Sequence, residues 1–274
     1  MNNTPLLENG PMRLKQCRHG PMLYLVTDQY IGRSLDHYGE FSKGEADVFA
    51  QLVRPGWTIL EIGANMGAHT VLLARATGPQ GIVHAFEPQR VVFQILCANV
   101  ALNALNNVYA HPVAVGREAG SILVPRLDSA VVQNFGGLSL GGYPEGDRVP
   151  LITIDSLQLS ACHMIKIDVE GMEGEVIAGA EETIRRYRPV LYLENDRPEK
   201  SAALIGQLLA MDYRLYWHLP PLFDSENYFG AAEDVFGGLA SLNMLGLHAS
   251  LSQNITGLRE ITDPKDTWRG PAGA

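Results

Sequence analysis

Two short stretches hold the residues best placed to do chemistry. The first, Glu61-Ile62-Gly63-Ala64-Asn65-Met66-Gly67, follows the apolar run "WTIL" and leads into "AHTVLLARAT". Glycine at 63 and 67 lets the backbone approach a ligand closely, and Asn65 tolerates a left-handed conformation or bonds its own backbone. A helix starting near Ala68 presents free N–H groups at the same place. The spacing does not match G-x-G-x-x-G, the turn that seats a pyrophosphate. An acid just ahead of the glycines would repel a pyrophosphate but suits a cationic or amino-bearing ligand. The second stretch, "VHAFEP", puts Glu87 and Pro88 at the carboxyl end of the next strand. An acid there accepts hydrogen bonds from both hydroxyls of a ribose. A ribose, an ammonium, a carboxylate and a cationic sulfur together describe S-adenosylmethionine.

A methyl group carried on sulfur moves to an alcohol by in-line displacement, so a protein must position the hydroxyl and take up its proton. Candidates for that work sit at other strand ends. Asp168 ends "MIKID" and Glu170 follows it; Glu194, Asn195 and Asp196 end "PVLYLEND"; His218 ends "YRLYWH". Two readings stay open. In one, Asp168, Glu194 (or Asp196) and Asn195 give oxygen ligands to Mg²⁺ or Ca²⁺, which lowers the pKa of the acceptor hydroxyl. That arrangement is similar to the metal site of some catechol-type methyltransferases. In the other, Asp168 or His218 is the general base, and acids such as Glu194 hydrogen-bond a polyol acceptor. His84, His111 and His163 read as structural, and Lys166 pairs with an acid or snorkels out of its strand. Glu173 and Glu175 open a helix, where an acid complements the positive end.

The elements that must hold these residues alternate. "WTILEIG", "GIVHAFEP", "NVYAHPVAVG", "CHMIKIDVEG", "PVLYLEN" and "YRLYWHL" read as strands, with "LASLNMLGL" as a last one. Helices "AHTVLLARAT", "QRVVFQILCANVALNA", "EGEVIAGAEETIRRY" and "EKSAALIGQLLAMD" fall between them. The pattern predicts a mostly parallel seven-stranded sheet covered by helices on both faces, because its strand cores are nearly all apolar. Residues 1–50 form a β-rich extension of short strands and turns with a leading helix, "KGEADVFAQLV"; residues 51–274 form a Rossmann-like domain. Two long loops interrupt the domain, at about 125–150 and at 219–240. Loops of that length are often lids or binding loops. Asn134 and Ser139 in the first offer hydrogen bonds, and Tyr228, Phe229 and Phe236 in the second offer rings to stack on a sugar, or anchors for the loop itself.

Bulk properties narrow the partners. A net charge of −9 and a pI near 5.3 argue against non-specific nucleic-acid binding, and no polybasic segment suits an anionic membrane. Cys17, Cys97 and Cys162 are odd in number and far apart, which suggests neither a disulfide framework nor a zinc site. No signal-peptide pattern and no membrane span stands out, so a soluble, cytoplasmic protein is expected. The residues leave the oligomeric state open, a homodimer among the options.

"ILEIGANMGAHTVLLA", "VHAFEPQ", "NVALNALNNV", "ITIDSL" and "IKIDVEGMEGEVIAGA" together resemble the successive motifs of FkbM-type methyltransferases. The resemblance runs from about residue 56 to 195. It implies a class I, Rossmann-like, S-adenosylmethionine-dependent methyltransferase, most often an O-methyltransferase acting on a small molecule, sugar or glycan. It places Glu61, Gly63, Ala64, Asn65 and Gly67 along the methionine half of the cofactor, with His69 and Thr70 beside them. Glu87 and Pro88 fall at the ribose, Val113 and Ala114 at the adenine, and Asp168 beside the methyl donor. The rival readings are a nicotinamide-dependent oxidoreductase, for which the glycine spacing and a hydride-site residue set are lacking, and a non-catalytic S-adenosylmethionine-binding module. Substrate choice is expected before residue 40 and in the loop at 219–240.

Overall fold

The computed structural model describes residues 3–138, 142–252 and 254–269. The chain opens with an antiparallel meander of β1 (Leu7–Asn9), β2 (Met12–Cys17) and β3 (Gly20–Leu25), followed by α1 (Ile31–Tyr38) and α2 (Lys43–Leu52). Helix α1 departs from the strands and turns expected there. Leu35 and Tyr38, one turn apart, are buried and give it an inward stripe, and Gly39 ends it at φ +69°.

The main domain alternates as the apolar pattern demands: β4 (Thr58–Ile62), α3 (Ala68–Thr77), β5 (Ile82–Phe86), α4 (Arg90–Leu102) and β6 (Val108–His111). Pro112 has no N–H to donate, and the single strand expected over "NVYAHPVAVG" breaks there. Beyond it β7 (Ala114–Val115) joins β8 (Gly120–Val124) and β9 (Asp147–Ile152) in a separate three-stranded sheet. Then come β10 (Met164–Ile167), α5 (Glu173–Ala178), α6 (Glu181–Tyr187), β11 (Val190–Glu194), α7 (Pro198–Leu209), β12 (Tyr213–His218), β13 (Asn243–His248) and β14 (Arg259–Ile261). The expected single helix after β10 is two, broken at Gly179, where a Cβ would lie 2.0 Å from the carbonyl oxygen of Gly116.

The main sheet has eight strands, one more than the sequence suggests, in the order β14-β12-β13-β11-β10-β4-β5-β6. The addition is β14, three residues paired to the outer edge of β12. β11, β10, β4, β5 and β6 run parallel, and β13 is antiparallel to both of its neighbours. From β4 the chain steps outward through β5 and β6, then returns to β10 on the other side of β4. The order therefore reverses between β4 and β10, and the crevice beyond their carboxyl ends is where a ligand fits in such sheets.

Core packing fixes that crevice. On one face Leu60, Ile62, Ile165, Ile167, Leu191 and Leu193 meet Val176, Ile177, Ile205 and Leu208 of α5 and α7. On the other, Ile59, Met164 and Tyr192 meet Phe49 of α2 and Leu73 of α3. Each such aliphatic side chain contributes about 1.5–3 kcal/mol by leaving water. Asn99 of α4, fully buried, ties the N-terminal meander to the first turn: its Oδ1 accepts from Leu23 N at 2.7 Å, and its Nδ2 donates to the carbonyls of Leu23 and Met66.

Candidate functional site

At the end of β4 the backbone turns through three left-handed residues, Gly63 (φ +81°), Asn65 (φ +49°) and Gly67 (φ +85°). A Cβ on Gly63 would lie 1.9 Å from the carbonyl oxygen of Asp168, so the tips of β4 and β10 approach too closely for any side chain. The N–H groups of Gly63 and Ala64 both donate to Phe86 O, which binds the turn to β5. Asn65 Oδ1 accepts from Met66 N, and Asn65 N donates to Glu87 Oε2 at 3.0 Å. The other carboxylate oxygen of Glu87 accepts from Gln89 N at 2.8 Å. Glu87 is thus clamped by two backbone donors, and each oxygen keeps a lone pair for a further donor. Burial pushes Glu87 up to about 7, against the pull of those N–H groups from Gln89 and Asn65.

These residues line a cleft of about 470 Å³. Its floor is charged. Glu61 and Lys166 sit in register on neighbouring strands and are buried, as is Glu45 of α2. Thr70 Oγ1 donates to Glu61 Oε2 at 2.6 Å, and Lys166 Nζ lies 3.1 Å from Asp168 Oδ2. Burial raises Glu61 to about 7 although Lys166 and Thr70 oppose the shift. Burial also works against the charge on Lys166, but Asp168, Glu61 and Glu45 outweigh it and raise its pKa. Asp168 keeps 43% of its side-chain surface open.

The cleft's outer wall is acidic. Carboxylate oxygens of Glu170, Glu194 and Asp196 lie within 4.8 Å of one another. Arg197 pairs with Glu170 and, at 3.4 Å, with Asp196. Glu194 Oε2 is buried without a hydrogen-bond partner, and burial together with Asp168, Asp196 and Glu170 pushes this carboxyl far up, to about 10. Tyr30, Ile31, Phe41, Leu222 and Leu239 supply the apolar surface opposite.

The structure brings Glu61, Gly63, Ala64, Asn65, His69, Glu87, Pro88, Asp168 and Glu194 together around this cleft. Thr70 stands behind Glu61, and Gly67 caps α3 at its N-terminus. Val113 and Ala114 lie just after β6, where Ala114 is buried in β7 of the small sheet and Val113 packs against the main core. Two catalytic or metal candidates do not reach the cleft. Asn195 is buried and turns inward, its Nδ2 donating to Ser201 Oγ at 2.9 Å and contacting Met244. His218 is buried with its Nδ1 2.7 Å from the Tyr192 hydroxyl, and it lines a separate hollow with Pro220, Pro221 and Arg259. The carboxylates that cluster are those of Glu170, Glu194 and Asp196, and Arg197 already supplies a cation to Glu170 and Asp196.

The long loops behave differently from a stacking platform. Phe236 packs on Tyr30 and Tyr38, Phe229 lies under Lys15, and Tyr228 lies under Arg18. They anchor the 219–240 loop to the N-terminal extension. Asn134 Oδ1 accepts from Gly136 N, and Phe135 N donates to Asp28 Oδ2, which holds the first loop over the cleft. Ser139 lies outside the described residues. Glu45, Lys166, Gln89, Tyr30 and Ser241 also face the cleft. Of these, only Lys166 carried a signal in the sequence, a charge within an otherwise apolar strand.

A family profile described as the methyltransferase FkbM domain matches residues 61–215, more than half of the chain. The chain belongs to the FkbM methyltransferase family, and its architecture is a class I methyltransferase-like α/β fold with a small N-terminal antiparallel sheet. It is 25% identical over 146 residues to Methyltransferase 1 of Beauveria bassiana, covering 45% of this chain and 58% of that protein. Among solved structures, a methyltransferase FkbM from Methylobacillus flagellatus is 18% identical with a TM-score of 0.48, over 73% of this chain and 50% of that one. The O-methyltransferase TomG from Streptomyces achromogenes, solved with S-adenosylmethionine, is 14% identical with a TM-score of 0.44, over 74% and 79% of the two chains. The chain thus spans little more than half the length of the fungal relative and half that of the Methylobacillus protein. None of the described helices is long and apolar enough to cross a membrane.

Proposed function

We propose that the chain is an S-adenosylmethionine-dependent methyltransferase that methylates a hydroxyl oxygen of a small molecule or glycan. The observation that carries this reading is Glu87: a buried carboxylate, clamped by backbone N–H groups, facing the same cleft as the side-chain-free turn at Gly63. The donor set fits the cofactor. Glu87 has lone pairs for two ribose hydroxyls, Gly63 and Ala64 line the cleft without a bulky side chain, and the buried acids at the floor match cationic groups.

When bound, the cofactor supplies an electrophilic methyl group on a sulfonium. The chain's own part is to orient and to move a proton. Asp168 is the carboxylate at the cleft floor with open surface, and Lys166 holds one of its oxygens, which fixes its position. It takes up the proton of the acceptor hydroxyl. Glu194, held protonated by burial and its acidic neighbours, lines the cleft and donates a hydrogen bond to a second oxygen of a polyol. The 219–240 loop packs on the extension, Phe236 against Tyr30 and Asp224 with Lys43, and Tyr30, Leu222 and Leu239 close one side of the cleft to water. No step is assigned to a metal, because Arg197 serves the acids that would bind one.

Calorimetric titration with S-adenosylmethionine and with NAD tests the first half: heat is expected with the former alone, and its absence removes the reading. Transfer of a labelled methyl group to a panel of hydroxylated glycosides and matched amines tests the second. Label on oxygen, lost in Asp168→Asn with cofactor affinity retained, is the expected result. Label found only on nitrogen overturns the oxygen assignment.

A further inference from the structure

The eight-stranded sheet ends differently at its two edges. β14 carries Arg259 and Glu260, charges of the kind that keep an exposed edge from pairing with another chain. β6, the opposite edge, reads Val108-Tyr109-Ala110-His111 and holds no carboxylate, lysine, arginine or proline. Its surroundings are alike: between Arg90 and Arg117 there is no Asp, Glu, Lys or Arg, in a chain where 19% of residues are charged. That stretch contains α4 and β6, and it is not all core. Tyr109 is 54% exposed, and Phe93 and Val100 of α4 are only partly buried, as are Val108 and Ala110.

The backbone at this edge is open. Val83 N donates to Asn107 O and Glu87 N donates to His111 O, so residues 107, 109 and 111 turn their polar backbone groups toward β5. Val108 and Ala110 turn theirs outward, and none of those N–H and C=O groups has a partner among the described residues. The same groups on a second copy, run antiparallel, match them. Val108 then faces Ala110 of the other copy, and the reverse, exchanging backbone hydrogen bonds, while Tyr109 lies opposite its own copy on a two-fold axis. Aromatic pairs across strands favour such pairing. Charge selects the occupant. With a net charge of −9, two copies repel where acids face acids, and this face lets them meet without that repulsion. A basic partner drawn to an acidic chain finds no carboxylate here. We propose that β6 is the edge at which two copies of the chain join, antiparallel, into one continuous sheet with Tyr109 on the symmetry axis.

The test is the mass of the full chain in solution, by light scattering after size exclusion, from about 2 to about 200 μM. A rise from one-chain to two-chain mass over that range is expected, and added NaCl should move it to lower concentration by screening the like net charges. Tyr109→Lys sets like charges opposite each other, and Ala110→Pro removes an outward N–H; each should weaken the dimer about tenfold or more, with thermal unfolding within a few degrees of wild type. Register has its own readout. Opposed residues outside the hydrogen-bonded pairs lie about 4.5 Å apart at Cα, within disulfide reach, so Tyr109→Cys should cross-link two chains on oxidation. The two copies of Val108 are offset along the edge, so Val108→Cys should not. Wild type, whose Cys97 is half-buried, gives the background. If a substitution unfolds the chain, the wild-type mass and the cross-link still decide. A one-chain mass at every concentration overturns the proposal, as does a dimer that both substitutions leave intact, one that salt dissociates, or one cross-linked through Val108→Cys alone. None of these outcomes depends on the methyltransferase reading.

Discussion

Replacing Glu61 with glutamine should make the free protein more stable at alkaline pH while weakening its hold on the cofactor. Glu61 is 1% exposed, and burial raises its folded-state value from an ordinary 4.5 to about 7. Between those limits the folded protein keeps a proton that the unfolded chain has released. The contribution of this carboxyl to stability is therefore whole below about pH 4.5 and is lost as pH rises through about 7. The gap between 4.5 and about 7 corresponds to about 3 kcal/mol. Glutamine carries no charge at any pH and can still accept the Thr70 hydroxyl. At about pH 5 the variant should match wild type within about 1 kcal/mol; at about pH 8.5 it should be more stable by up to about 3 kcal/mol. Urea unfolding followed by the fluorescence of Trp57, Trp217 and Trp268, without ligand, reads both values. A variant less stable than wild type at the alkaline end would refute the reasoning, because it would mean that Lys166 fully compensates an ionised Glu61. In the same variant, affinity for S-adenosylmethionine should fall, since a cationic ligand is what restores the charged form.

Other outcomes follow from the same geometry. Glu87→Ala leaves the N–H groups of Asn65 and Gln89 without their carboxylate and should lower cofactor affinity about tenfold to a hundredfold by calorimetry. Gly63→Ala adds a Cβ 1.9 Å from Asp168 O at a φ of +81° and should cost about 2 kcal/mol or more, visible as a lower Tm; an unchanged Tm would mean that the strand tips separate freely. His218→Asn removes one of two partners of the Tyr192 hydroxyl, Asn243 being the other, and touches a different hollow, so stability should drop by about 1 kcal/mol with S-adenosylhomocysteine affinity unchanged. Wild-type cofactor affinity should be the same in excess EDTA as in Mg²⁺; a metal-dependent affinity would assign the Glu170, Glu194 and Asp196 cluster to a cation other than Arg197.

The sequence by itself determined what local chemistry dictates. Alternating apolar strands and helices specify a parallel sheet, because only burial on both faces accounts for cores such as "TIL" and "MIKI". Glu61 before Gly63, and Glu87 at the next strand tip, are separated by one strand–helix unit, so their nearness follows from chain order alone. Tertiary structure decided the rest. Asn195 and Glu194 are adjacent in sequence, yet consecutive residues at a strand end point to opposite faces, and only the packing of Ser201 and Met244 drew Asn195 inward. His218 shares the strand-end position of Asp168, but β13 lies between β12 and β11 and carries it away from the switch point. Glu45 and the loop ending at Asn243 come from outside the repeating pattern, and no spacing links them to Glu61. Their arrival depends on how α2 docks on the sheet and how Tyr38 grips the 219–240 loop, contacts between residues nearly 200 positions apart that no local rule encodes.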